Sequence, residues 1–263
     1  MKAQNVQREK FCPLQSYSCA DGGKGEKAVR GRRNICEKFF MALGGLFLMA
    51  LTFGAPWRGT AAGTENENTA VTTAQIEEKE KPMVALTFDD GPSIYSEALL
   101  DGLKERKVQA TFFLLGVNME GNEEIVKRME EEGHLLGNHT YHHVQLNKVS
   151  GREAASEILT TNNRIFEAAG EYPIYIRPPY GEWNETLEDQ VDMIPVFWSV
   201  DSLDWKLQDA GAIRKHVLET VEEGDIILMH DGYEASVEAA LGIVDQLLKE
   251  GYQFVTADRM VMD

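Results

Sequence analysis

Met83-Val84-Ala85-Leu86-Thr87-Phe88-Asp89-Asp90-Gly91-Pro92 is the stretch from which the fold is read. An apolar run leads into two adjacent carboxylates and then a Gly-Pro turn. A short apolar run bounded by turn residues reads as a buried strand. Neighbouring side chains on an extended backbone point in different directions. One carboxylate at this strand end can therefore bind a metal ion while the other handles a proton.

Outward from this stretch, apolar runs alternate with helical patterns. Strands are predicted over residues 84–88, 110–115, 174–176, 194–200, 226–229 and 253–255, and Leu135-Leu136 opens another. Helices are predicted over 96–105, 123–132, 152–169, 210–220 and 235–249. In the third, Ala155, Ile158, Ile165, Phe166 and Ala169 mark an apolar stripe at near-helical spacing. Repeated strand-helix alternation predicts a parallel α/β fold. The chemically suggestive residues fall at or just past strand ends, where closed parallel barrels carry their sites.

The rest of the 263-residue chain divides by composition. Residues 1–38 carry nine Lys/Arg against four Asp/Glu, whereas the remainder carries 17 against 39, a net of −22. So acidic a domain lacks the basic footprint that nucleic-acid binding needs. A neutral substrate, or one held by local contacts and a metal, fits better. Cys12, Cys19 and Cys36 all lie in the basic segment, so the main domain has no disulfide framework and no thiolate metal site. Residues 39–57 are uncharged and mostly apolar, about enough to cross a bilayer as one helix. The preceding Lys/Arg cluster predicts a cytoplasmic N-terminus. The tract reads as a signal anchor, with a signal peptide cleaved near Thr60-Ala61-Ala62 as the alternative. Either way the acidic part is expected outside the membrane. Residues 58–81 read as a solvated linker, and 82–263 as the folded domain.

Four further tracts carry candidate chemistry. In Gly137-Asn138-His139-Thr140-Tyr141-His142-His143, His139 and His143 share a face if the segment is a helical turn. A His139–His142 pair is the geometric alternative. Neutral imidazoles are common zinc ligands, and two with one carboxylate leave open positions for water and substrate. In Arg177-Pro178-Pro179-Tyr180-Gly181 the arginine could hold a carboxylate by paired hydrogen bonds, or could simply lie on the surface of a loop. Trp198-Ser199-Val200-Asp201-Ser202-Leu203-Asp204-Trp205 reads as a strand and an Asp/Ser turn with tryptophans in the core. In Leu228-Met229-His230-Asp231-Gly232 a histidine ends a strongly apolar strand, where it is either catalytic or satisfied by a neighbour. His134 and His216 read as surface or packing residues, Trp198 as core, and the acidic runs 130–132 and 222–223 as solvated helix ends.

Taken in order, the five tracts resemble the polysaccharide deacetylases with the NodB homology domain, carbohydrate esterase family 4. Within that family they look most like the membrane-anchored peptidoglycan N-acetylglucosamine deacetylases. The tracts at 87–92, 139–143, 177–180, 201–205 and 228–230 carry the resemblance, which spans about 82–263. It implies a distorted (β/α) barrel and metal-dependent removal of N-acetyl groups from a cell-wall glycan, peptidoglycan first. By the same resemblance Asp89 is the general base, and Asp90, His139 and His143 are the metal ligands. Arg177 orients Asp89, and the Tyr180 backbone N–H helps bind the oxyanion. His230 is the general acid tuned by Asp204, while Trp205 and Leu228 line a pocket for the acetyl methyl.

The expected cation is Zn2+, with Co2+ or Ni2+ as alternatives. The expected partners are an N-acetylated glycan polymer and, through the N-terminal tract, a membrane; no nucleic acid and no obligate protein partner are inferred. A second reading keeps the mechanism but changes the substrate to chitin oligomers, another surface glycan or O-acetylxylan. A third, a glycan-binding pseudoenzyme, has no need for the complete set of acid, base and ligands.

Overall fold

A computed structural model of the chain describes residues 81–183, 187 and 190–261. The basic segment 1–38, the apolar tract 39–57 and all but the last residue of the linker 58–81 lie outside the described residues. The strands are β1 Met83–Asp89, β2 Thr111–Leu114, β3 Leu135–Asn138, β4 Tyr175–Ile176, β5 Ile194–Pro195, β6 Val200–Asp201, β7 Ile226–His230 and β8 Gln253–Val255. The helices are α1 Ser96–Arg106, α2 Glu123–Glu131, α3 Gly151–Ala169, α4 Asp204–Leu207, α5 Ala210–Thr220, α6 Glu234–Lys249 and α7 Asp258–Val261. Single turns of 3-10 helix cover Gly116–Met119 and Pro179–Gly181.

All strand pairs are parallel, in the order β5-β4-β3-β2-β1-β7-β6, with β8 beside the first half of β1. The sheet curls into a half-barrel clad by helices, the expected (β/α) architecture. β1 lies at its centre because it can be buried on both faces. Val84, Leu86 and Phe88 pack with α1, α2 and α6 residues such as Leu99, Val126 and Ile243. Ala85 faces the inside with Phe113, Tyr175 and Val196. Local chemistry sets the helix ends. Ser150 accepts the Glu153 N–H at the start of α3, Gly170 closes that helix at φ 84°, and Asp209 accepts the Ala212 N–H at the start of α5.

The run 194–200 is not one strand. Its start pairs with β4 and its end with β7, so it bridges both sides of the curled sheet. Between these pairings the carbonyls of Val196 and Phe197 accept hydrogen bonds from Arg177 Nε (3.3 Å) and Nη2 (3.2 Å). A buried guanidinium thus takes the place of a strand partner. The acidic run at the end of α2 also departs from expectation. The Glu132 side chain is 12% exposed and pairs with Lys104 and Arg128 at 2.9 and 2.8 Å. His134 is buried, its Nδ1 accepting the Ala110 N–H at 3.0 Å.

Candidate active site

Strand alternation aims the first acid. Asp89 has the same parity as Ala85 and Thr87, so its side chain enters the barrel, while Phe88 points out to the helices. β1 and β7 are in register at Asp89 and His230, which sets those two residues side by side on the same face. Asp90 has already left the strand, at φ 70°. Its Oδ1 is a buried atom with no hydrogen-bond partner.

That orphaned oxygen faces two imidazoles. His139 Nε2 lies 3.5 Å and His143 Nε2 3.7 Å from Asp90 Oδ1. All three donor atoms fall within 4.8 Å of one another. Donors each about 2.1 Å from one zinc-sized ion lie no more than about 4.2 Å apart. Both distances to Asp90 satisfy this limit, and two imidazoles with a carboxylate are a donor set that suits a divalent cation. His139 is also in the right protonation state. Its Nδ1 sits 2.5 Å from the Arg177 carbonyl, which can only accept, so Nδ1 carries the proton and Nε2 keeps its lone pair. Burial, helped by the His143 and Arg177 charges, pushes its pKa down to about 3 against the opposing pull of Asp90.

The segment holding these histidines is not the expected helical turn. Thr140 and His143 both have left-handed backbones, at φ 67° and 58°. The Thr140 N–H donates to Asn138 Oδ1 at 2.6 Å, and the Tyr141 and His142 N–H groups donate to Glu157 of α3. The structure brings His143 to Asp90 and turns His142 away, toward Glu157 at 2.8 Å.

Arg177 is fully buried, its guanidinium 4.3 Å above the Phe113 ring. Its Nη1 donates to Asp89 Oδ1 at 2.9 Å and to Thr87 Oγ1 at 2.6 Å. The contact with Asp89 is thus single rather than paired. Burial raises the Asp89 pKa, and the Arg177 charge opposes but does not cancel that rise. On the other side, Asp204 at the start of α4 accepts the His230 N–H on Oδ2 (2.7 Å) and binds His230 Nδ1 through Oδ1 (2.8 Å). Burial works against the imidazolium, but this bond and the charges of Asp204, Asp89 and Asp90 carry its pKa up to about 9. Burial likewise opposes ionisation of Asp204, yet the bonds and charge of His230 hold its carboxyl below the usual range.

The remaining expected residues surround this centre. Tyr180 has a left-handed backbone (φ 62°), and its ring stands 4.8 Å from that of His143, 63% exposed. Leu228 shares the inner face of β7 with His230 and is buried. Trp205 is 51% exposed, so it is not a core residue, and Trp198 is half-buried. His216 is part-buried, its Nε2 3.1 Å from the Asp201 carbonyl. Three contributors were not singled out in the sequence. Thr87 was detectable from its parity with Asp89. Asp231 sits fully buried against Gly91, bonded to Ser96 Oγ, and shows only as an acid next to the strand-end histidine. Glu157 carries no local signal at all.

A family model described as polysaccharide deacetylase matches residues 76–195. The peptidoglycan-N-acetylglucosamine deacetylase of Bacillus cereus is 44% identical over 191 residues, covering 68% of each chain. The peptidoglycan-N-acetylglucosamine deacetylase PgdA of Listeria monocytogenes is 40% identical over 183 residues. That match takes in 69% of this chain but only 39% of the Listeria protein. Among solved structures, peptidoglycan deacetylase PdaC from Bacillus subtilis superposes with a TM-score of 0.67 at 38% identity, covering 69% of this chain and 91% of that one.

Proposed function

The chain belongs to the polysaccharide deacetylase family, and on that premise we propose that it hydrolyses the N-acetyl group of N-acetylglucosamine residues in peptidoglycan, releasing acetate. The observation that carries this reading is the placement of Asp89, held by Arg177, in register with His230, held by Asp204, beside the cluster of Asp90, His139 and His143.

Amide hydrolysis needs an activated water, stabilisation of the carbonyl oxygen as it gains charge, and a proton for the leaving amine. A divalent cation held by Asp90, His139 and His143 supplies, when bound, polarisation of the carbonyl and acidification of water. Two imidazoles and a carboxylate suit Zn2+ first, then Co2+ or Ni2+. Asp89 takes the proton from the attacking water. Burial raises its pKa, which makes the carboxylate a stronger base, and Arg177 fixes its direction. The Tyr180 N–H hydrogen-bonds the developing oxyanion. His230 donates the proton that lets the amine leave. Because its Nδ1 is committed to Asp204, that proton is the one on Nε2. Trp205 and Leu228 flank the acetyl methyl. The apolar tract 39–57 and its basic flank support an exported, membrane-anchored enzyme working at the cell wall.

Acetate release from purified peptidoglycan, with chito-oligosaccharide and acetylxylan as comparison substrates, tests this. We expect release from peptidoglycan, loss with a chelator and recovery with Zn2+ or Co2+. Glycan binding without acetate release under any metal condition would overturn it in favour of a binding module.

A further inference from the structure

The third histidine of the second tract has no place in the chemistry above, and its partner explains it. The loop between the two histidine ligands is gripped from two sides. On one side the carbonyls of Thr140 and Tyr141 accept the Gly116 and Val117 N–H groups at 3.1 and 3.0 Å. On the other, a single oxygen of Glu157, Oε2, accepts the N–H groups of Tyr141 (3.0 Å) and His142 (2.7 Å). The second oxygen, Oε1, lies 2.8 Å from His142 Nδ1. Glu157 projects from α3, only 13% of its side chain exposed, and its carboxylate is the one charged acceptor on the loop's amides among the described residues. The two amides that Glu157 holds lie between Thr140 and His143, both of which have left-handed backbones, a conformation rare for a β-branched residue such as Thr140.

We propose that Glu157 is a positioning residue that sets metal affinity by clamping the Thr140-Tyr141-His142 loop, and that His142 is part of the clamp rather than a ligand. The inference rests on the metal-site reading above. It makes reach, not charge, the operative property of Glu157. Both backbone amides share one oxygen, so the carbonyl oxygen of a glutamine can replace it. An aspartate keeps the charge but stops one methylene short.

The test is Zn2+ affinity of the full chain, by competition with a chelating indicator, alongside thermal unfolding of each metal-free variant. We expect Glu157→Gln to bind as the wild type does, and Glu157→Ala and Glu157→Asp to bind about 10–100-fold more weakly. His142→Ala, which keeps both amide bonds, loses less than either, and His143→Ala loses most. If Glu157→Ala fails to fold, the Gln and Asp variants decide the matter. Affinity kept by Asp and lost by Gln would overturn the clamp in favour of simple charge attraction, as would wild-type affinity in all three variants. His142→Ala binding as weakly as His143→Ala would return His142 to the ligand set. Failure of the wild type itself to take up Zn2+ would bring down the metal reading and the clamp together, an outcome distinct from the others.

Discussion

His230 sits among three carboxylates, Asp204, Asp89 and Asp90, which together outweigh the effect of its burial and lift its pKa to about 9. A general acid must be protonated, so kcat/KM should fall as pH rises through the folded value. A bound cation nearby lowers that value, so the alkaline limb of the loaded enzyme lies no higher than about 9. Asp204→Asn removes the largest favourable charge and should move the limb toward the ordinary histidine range, which a pH–rate profile reads directly; an unmoved limb would refute the pairing. The raised pKa of His230 contributes to stability in full below the unfolded value of 6.5, and that contribution is lost as pH rises through about 9; the lowered pKa of Asp204 contributes in the opposite sense, lost as pH falls through its folded value. Legibility at this scale is uneven. A histidine ending an apolar strand is visible in sequence. The bond to Asp204, 26 residues away, is not, because α4 and β7 meet only in the fold. Spacing leaves His142 and His143 as rivals, separated only by the family resemblance, and the helical turn that would put His139 and His143 on one face does not form. Two left-handed residues and an acceptor on α3 bring His143, not His142, to Asp90.

At the scale of elements, the apolar run of β1 is enough to predict a buried strand; its central place and the split between its two faces come from the fold. Helix limits were legible to within a residue or so, because caps such as Ser150 and Asp209 are local. The run 194–200 was not legible, since nothing local announces that an arginine 17 residues before Ile194 will claim its carbonyls. The turn after β1 offers a direct test. A Cβ added at Gly91 would stand 2.9 Å from Asp231 Oδ2, and that buried carboxylate is already bonded to Ser96. Gly91→Ala should therefore destabilise the domain by about 1–3 kcal/mol, read as a lowered denaturant midpoint at unchanged slope. It should also displace the neighbouring Asp90 and weaken Zn2+ binding. An unchanged midpoint would mean that Asp231 gives way freely.

Across the described residues, the C-terminal ends of β1, β3, β4, β6 and β7 or the loops that follow them carry the residues of the candidate site, as in closed parallel barrels. That placement was foreseeable once the strand-helix alternation was read. The substrate rests on relatedness, since the net charge of −22 beyond residue 38 argues only against attraction of an anionic polymer. A site that binds a cation only when folded also links metal to stability. At free Zn2+ about 100-fold above its Kd the gain is about 2.7 kcal/mol, or roughly 5–10 °C in Tm for a domain of this size. Chelation should remove that increment from the wild type and leave the His139→Ala Tm unmoved. The proposed mechanism divides the two adjacent acids at the end of β1, Asp90 to the metal and Asp89 to the proton. Zn2+ content and acetate release measured on the same Asp89→Asn sample test it most directly. Near wild-type Zn2+ content with acetate release abolished is expected; retained release, or loss of the metal along with activity, would rule this division out.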